Sequence, residues 1–398
     1  MKVVEAFDTY LRTTENWCYK LLKHLSSVDL IIISEYRENE STFPLSGARF
    51  TTAFRSRFRQ DHSRLIQKLI NRFRKIAGWT WRKTLVFQIA DADVVHAHFS
   101  VVAWDYLWLA RITRTPLVVS FYGFDYEYLP NAEPSWRRRY RKLFKHGALF
   151  IAEGSAGRSR LLEMGCPDHK AKVVHLGIEV DKIPCYKRPK KKFELKLVQV
   201  ARFTDKKGHE TTFNAFSKAS ILCPKLTLTF VGKDPQGIRA RLETLAAEQG
   251  LDGQVQFIDS IDYALLHDFL QDYHVFIHPS RYGKHRDSEG GAPIVLLDAQ
   301  ATGMPVLATY HCDIPEEVID GETGILVDEN AVDDLAIAIQ RFYEMEEIEY
   351  HAYGRRAREH VGRHYQAAHC ATELKEKYEM LVQTRNQALI RTQHEEPH

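Results

Sequence analysis

Residues 288 to 306 read SEGGAPIVLLDAQATGMPV, an acid and two glycines ahead of a proline, an apolar run, and then a second acid. Pro293 suits the first turn of a helix, and Gly303 followed by Pro305 suits its end. Gly290, Gly291 and Ala292 then fall at the helix N-terminus, where unpaired backbone N–H groups and the helix dipole favour an anion such as a diphosphate. Glu289 stands just ahead of the helix and Asp298 one to two turns into it. Aspartate is disfavoured inside helices, so Asp298 either lies on a solvated face or holds a ligand. Glu289 is equally readable as an acid that favours the helix dipole.

A second constellation lies upstream. LKLVQVARF (195 to 203) reads as a strand running into TDKKGHE, which places Arg202 and Lys207 at its carboxyl end. A guanidinium and an ammonium there could clamp two phosphates and stabilise a departing diphosphate; the ordinary alternative is two solvated loop cations. LTLTFVG ends at Gly232, again at a carboxyl edge.

Positioning such groups needs strands that stop at one edge, and the chain supplies them. Candidate strands are 29 to 34, 92 to 99, 116 to 123, 148 to 154 and 172 to 178 in the first half. In the second half they are 195 to 203, 226 to 232, 255 to 261, 275 to 280, 305 to 310 and 324 to 328. Helical patterns of about 10 to 15 residues separate them, as crossovers in a parallel sheet do. The expected fold class is α/β, with two Rossmann-like, doubly wound parallel-sheet domains facing a cleft. The expected boundaries are a first Rossmann-like domain over 1–182, a linker over 183–194 (IPCYKRPKKKFE), a second Rossmann-like domain over 195–365, and a helical tail over 366–398. In open parallel sheets, ligands bind beyond the carboxyl ends of the strands.

Composition bounds the alternatives. The 398 residues, 44% hydrophobic and 27% charged, suit a soluble globular chain of about two domains. No apolar run approaches the roughly 20 residues of a membrane span, and no signal-peptide core follows MKVVEAFD, so a cytoplasmic protein is expected. The six cysteines are scattered with no C-x-x-C pair, which gives neither a zinc site nor a disulfide framework. A net charge of +3 is too small to imply nucleic acid.

The motifs taken together resemble glycosyltransferase family four, the retaining GT-B sugar-nucleotide transferases. ARFTDKKG is similar to that family's G-R-x-x-x-K-K-G segment, and EGGAPIVLLDAQATGMPV to its paired-acid motif. VVHAHF, SFYGFD, FIAEGSAGRSRLLEMGCP, VVHLGIEVD and HCDIPEEVIDGETGILV resemble the branch that builds capsule, exopolysaccharide and lipopolysaccharide, including colanic-acid-type enzymes. The resemblance implies that Arg202 and Lys207 hold the donor's diphosphate, and that Glu289 bonds hydroxyls of the donor sugar. It further implies that the backbone of 290 to 293 contacts sugar or phosphate, and that Asp298 accepts the ribose hydroxyls. The donor would be a UDP-sugar or GDP-sugar, with no metal and no other cofactor, and transfer would occur on the donor's front face. Two departures stand out. Eight residues separate Glu289 from Asp298, where the family has seven between two glutamates; with Gly290 as the counterpart, the sugar contact falls to a neighbour. Tyr122 stands where many members have a histidine before the glycine of HG-x-D, and a tyrosine is no neutral-pH base. Tyr122 and Asp125 are therefore acceptor or sugar candidates, not a catalytic dyad.

His98 is a further cleft candidate; with His96 it could also ligate a metal or form a core pair. TYLRTTENW resembles the branch's opening loop and offers Thr14 and Glu15, which an ordinary helix N-cap explains equally well. Segment 54–81 combines an apolar helical stripe with eight basic residues and ends in tryptophans, reading either as a contact with an anionic membrane surface or as a core-packed helix with a solvated basic face. WRRRYRKLFKHG (136 to 147) adds basic charge. HEEPH at 394 to 398 imitates a zincin motif but carries a proline in a terminal tail, and DAD at 91 to 93 precedes its strand. The expected activity is hexosyl transfer to a saccharide or lipid-linked saccharide, at the inner face of the plasma membrane. The rivals are a sugar-nucleotide epimerase of similar architecture and a basic membrane adaptor.

Overall fold

The computed structural model describes residues 1–12, 15–52, 90–288, 291 and 293–394. Segment 54–81, Thr14, Glu289, Gly290, Ala292 and residues 395–398 of the terminal HEEPH lie outside the described residues.

The first sheet contains β1 (Lys2–Tyr10), β2 (Asp29–Arg37), β3 (Arg49–Thr52), β4 (Val94–His98), β5 (Leu117–Ser120), β6 (Leu149–Ala152) and β7 (Ala171–Val173). The second contains β8 (Leu195–Val200), β9 (Leu226–Val231), β10 (Val255–Ile258), β11 (Val275–His278), β12 (Val306–Thr309) and β13 (Gly324–Val327). Their spatial orders are β3-β2-β1-β4-β5-β6-β7 and β10-β9-β8-β11-β12-β13. Every strand pairing within them is parallel. In each sheet the order reverses beside the first strand, between β1 and β4 and between β8 and β11. Those two switch points are where a doubly wound sheet opens a ligand crevice.

Burial on both faces explains the apolar strands. β4 is buried at all five positions. One face of the first sheet packs Val4, Ala6, Val95 and Ala97 against Leu109, Tyr140 and Phe144 from the helices Ser100–Thr113 and Trp136–His146. The other packs Val3, Phe7 and Val94 against Leu21 and Leu22 of the helix Asn16–Lys23, together with Cys370, Leu374 and Tyr378 of the helix Ala367–His394. A smaller cluster of Ile178, Val180, Ile183, Leu297, Ala301, Val361 and Tyr365 joins the two halves.

Two strands are absent from the sequence candidates: the short edge strand β3, and β1 at the centre of its sheet, whose apolar run Glu5 and Asp8 interrupt. Stretch 183–194, the expected linker, carries two buried cations. Arg188, 2% exposed, donates from Nη1 to the Thr302 carbonyl and from Nη2 to Thr302 Oγ1, both at 2.7 Å. Lys190, equally buried, donates to the Tyr343 carbonyl at 3.3 Å. A buried cation needs such acceptors, and they seat this segment on the second domain.

DAD precedes β4 and serves the fold: Asp93 Oδ2 accepts from the Lys2 N–H at 2.8 Å, and Asp91 pairs with the Lys2 ammonium.

Candidate functional site

The second domain's wall begins where β8 ends. A 3-10 turn, Asp205–Lys207, follows Arg202 and leads through Gly208 into the helix His209–Ser220. Gly208 has φ +66° and packs so close to Pro279 that a Cβ would collide with its carbonyl oxygen. Buried Gln199 fixes the turn, donating from Nε2 to the Lys207 carbonyl at 2.7 Å while its Oε1 accepts from Thr212 at 2.7 Å. At the end of β9, a side chain on Gly232 would collide with the Ala201 carbonyl. Gly232 thus lets two strand ends lie flush beneath Arg202.

The cations divide their work. Arg202 is exposed. Lys206 donates to Asp287 Oδ1 at 2.9 Å and to the Ser288 carbonyl at 2.7 Å, tying the turn to the segment that leads into 289–292. Lys207 is pushed well below the ordinary lysine range by burial, then by the charges of Lys206 and Arg202, with Asp287 opposing. Three cations, two of them half-buried, gathered at a strand end are a place for an anion.

The helix Ile294–Ala301 begins at Pro293, its N-cap, and carries Asp298, 1% exposed. The solvated-face reading of Asp298 therefore does not hold. Its Oδ1 accepts from Tyr263 Oη at 2.9 Å and lies 3.0 Å from His267 Nε2. Lys20 of the first domain donates to that tyrosine oxygen at 2.5 Å. Asp298 thus sits at the junction of the domains.

Across the cleft, several acceptor-side candidates turn inward, which corrects the expectation for them. Both oxygens of Asp125, fully buried, are spent on the fold: Oδ1 accepts from the Ser100 N–H at 2.9 Å and Ser100 Oγ at 2.6 Å, and Oδ2 from the Tyr122 N–H at 3.0 Å. Burial raises its carboxyl to about 6. The Tyr122 hydroxyl lies 2.8 Å from His98 Nδ1, while its ring packs on Trp17 and Phe99. His98 Nε2 is 2.9 Å from Glu5 Oε2, and His96 lies between Tyr378 Oη (2.6 Å) and Ser120 Oγ (2.8 Å). Tyr378 donates to the other Glu5 oxygen at 2.9 Å. Glu5, His96 and His98 have donor atoms within 4.8 Å of one another, the geometry of a cation site. Each of their four ring nitrogens, however, already faces a protein partner that a cation would have to displace. Burial alone would raise Glu5, yet the two imidazoles carry its carboxyl down to about 2. Burial and then His96 lower His98 to about 4. Glu15 precedes the helix Asn16–Lys23 without a side-chain cap, and its Oε2 accepts from the Arg12 N–H at 3.4 Å.

The residues that join the walls escaped the sequence reading. Glu127, 1% exposed, accepts from Arg286 at 2.8 and 3.4 Å, from Tyr282 Oη at 3.3 Å, and pairs with Arg160 at 3.0 Å. Asp313 accepts from the N–H groups of Ala156 (2.6 Å) and Gly157 (3.4 Å), and Glu316 from that of Ser155 (2.8 Å). These amides open the helix Ser155–Glu163, whose N-cap is Gly154 with no side chain to offer. Carboxylates from the opposite domain satisfy them. A helix opening without its own cap was the one signal in the sequence.

With this geometry in view, the chain can be compared with known proteins. The profile described as Glycosyltransferase Family 4 matches residues 35–182, and that described as Glycosyl transferases group 1 matches residues 186–360. The putative colanic acid biosynthesis glycosyltransferase WcaL of Salmonella typhimurium is 29% identical over 279 residues, 69% of this chain and 67% of the relative. Its Escherichia coli K12 counterpart is 31% identical over 277 residues, 68% of this chain and 66% of that one, so the matched region spans about two thirds of each relative. Anabaena Alr3699/HepE, crystallised with UDP and glucose, superposes with a TM-score of 0.70 at 16% identity, covering 96% of this chain and all of that one, which shows a shared fold.

Proposed function

Since this chain belongs to the family 4, group 1 glycosyltransferases, we propose that it moves a hexose from a nucleoside-diphosphate sugar to a saccharide or lipid-linked saccharide during surface polysaccharide synthesis. The observation that carries this reading is the half-buried Lys207 beside Lys206 and exposed Arg202 at a strand end of the domain that also presents the buried Asp298. The polysaccharide roles in the names of the relatives support the acceptor class. An epimerase or an adaptor has no such support.

In this reading Arg202 and Lys207 hold the diphosphate, and Asp298 takes the ribose. The acceptor hydroxyl attacks the anomeric carbon on the face from which the diphosphate departs. A bond forms from acceptor oxygen to carbon as the carbon–oxygen bond to the diphosphate breaks. The acceptor's proton passes to a diphosphate oxygen, and the two cations stabilise the charge that develops there. The cations do the work of a metal, so transfer should survive EDTA. No helix among the described residues is long and apolar enough to cross a membrane. We place the reaction at the cytoplasmic face, with segment 54–81 as the membrane contact.

Incubation with a panel of UDP- and GDP-hexoses, followed by proton NMR of the released or transferred sugar, tests the reaction class. One donor should be consumed, with its anomeric configuration kept. Inversion, or no consumption of any donor, would refute the assignment. The ribose contact has its own test. Asp298→Asn, which leaves Tyr263 an acceptor, should weaken nucleoside diphosphate binding by about 10- to 100-fold, the worth of a hydrogen bond to a charged group. Calorimetric affinity within twofold of wild type would remove Asp298 from the site.

A further inference from the structure

Glu153 stands at the end of β6 in the first domain, 4% exposed. Its Oε1 accepts from the Gly123 N–H at 3.2 Å and its Oε2 from the Gly291 N–H at 3.1 Å. Gly123 belongs to the SFYGFD turn of the first domain, and Gly291 to the segment that leads into the Asp298 helix of the second. A single carboxylate therefore joins loops from opposite walls.

The junction is built for that contact. The Gly291 carbonyl accepts from the Asp313 N–H at 3.0 Å, and the Asp313 carboxylate holds the amides of Ala156 and Gly157. A Cβ on Gly291 would collide with the Asp313 carboxylate and stand 2.9 Å from the Glu153 Cβ and 3.2 Å from Tyr126 Oη. Tyr126 is 1% exposed, and its hydroxyl has no hydrogen-bond partner among the described residues. A buried, unsatisfied hydroxyl is costly, and here it borders the segment that should meet the donor sugar.

We propose that Glu153 is a positioning residue for donor-sugar recognition: by accepting from Gly123 and Gly291 at once, it holds Gly291, at the entry to the Asp298 helix, against the first domain. This rests on the transferase reading and adds to it a residue on the opposite wall. Arg202, Lys207 and Asp298, which would hold the nucleotide, belong to the second domain and Glu153 to the first, so the two halves of the donor should separate experimentally.

In Glu153→Gln one oxygen is replaced by an NH2 group that faces an N–H, so one of the two loops is released. The expected result is a fall in kcat on the order of 10²-fold, as when one stabilising donor is mispositioned, with the affinity for the free nucleoside diphosphate within twofold of wild type. Hydrogen exchange supplies a readout that needs no turnover: the peptide covering 288–296 should exchange faster in the variant, while 155–163 keeps its protection. Gly291→Ala should reproduce the kinetic loss, and the double variant should be no worse than Gly291→Ala alone, because coupled residues are non-additive. Unchanged exchange at 288–296, or kcat and nucleotide affinity falling in parallel, would overturn the role of Glu153. Failure of the wild type to bind any nucleoside diphosphate would count against the transferase reading instead, leaving the exchange comparison to decide Glu153.

Discussion

Arg202→Ala is expected to lower turnover by on the order of 10²- to 10³-fold, the cost of removing one group that stabilises developing charge. The melting temperature of the unliganded protein should stay within about 2 °C, because an exposed side chain contributes little to the fold. Arg202 follows directly from β8, where Gly232 and Gln199 fix the strand end and the turn beyond it. Its guanidinium can meet two diphosphate oxygens, a geometry that an ammonium cannot copy. Arg202→Lys should therefore recover only part of the rate. Lys207 makes a contrast, since it is half-buried and held below the ordinary lysine range by burial and by the charges of Lys206 and Arg202. Arg202→Ala removes one of those cations, so Lys207 titrates closer to its ordinary range in the variant. Steady-state kinetics on the donor identified by NMR measure the loss. Wild-type turnover would dismiss the proposed handling of the leaving group.

Glu5→Gln carries the largest expected effect on stability, about 3 kcal/mol, the linkage value of a buried carboxyl lowered from 4.5 to about 2. For a domain of this size that lowers the melting temperature by on the order of 10 °C. Glu5 is fully buried, with one oxygen beside His98 and the other accepting from Tyr378 of the C-terminal helix, so its loss also loosens that helix. The pH dependence has a definite sign. With the folded value lowered from 4.5 to about 2, the stabilisation from Glu5 is fully present above pH 4.5 and is lost as pH falls through that interval. His98, lowered from 6.5 to about 4, costs stability as pH falls below 6.5, because the unfolded chain takes up the proton first. Asp125 and Asp313, raised to about 6 and about 7 by burial, act in the opposite sense, favouring the fold at low pH. The difference between wild type and variant cancels their contribution. The gap in melting temperature should be widest above pH 4.5 and narrow toward pH 2; a gap that does not change with pH would contradict the ionised, buried Glu5.

The same residue shows where sequence reading runs out. Eleven strands were legible as short runs rich in β-branched and apolar residues between helical patterns, and they correspond to β2 and to β4 through β13. β1 was not, because the partners that neutralise its buried glutamate lie 91, 93 and 373 residues away, at His96, His98 and Tyr378. The short edge strand β3 was missed as well.

In the site, the loops were legible and the directions of side chains were not. Strand ends and helix starts put Arg202 and Lys207 just beyond β8, and Gly291, Pro293 and Asp298 at and within one helix, as the sequence reading has them. Nothing in SFYGFD says that Asp125 turns back to cap the Ser100 helix, or that the Tyr122 hydroxyl faces His98. The cross-cleft acids Glu127, Glu153 and Asp313 are defined by what the other domain offers them. Glu153 and Asp313 need amides without partners of their own, and Glu127 needs Arg286.

The most direct test of sugar-nucleotide transfer is the melting temperature of wild type and Arg202→Ala in the presence of UDP, GDP, ADP and their common sugar conjugates, with and without EDTA. One nucleoside diphosphate should stabilise the wild type by about 2.7 kcal/mol at a hundred times its Kd, unaffected by EDTA and largely lost in Arg202→Ala. If no nucleotide shifts the wild type at millimolar concentration, or if the variant shifts equally, the second domain's strand edge is not a nucleotide-sugar site.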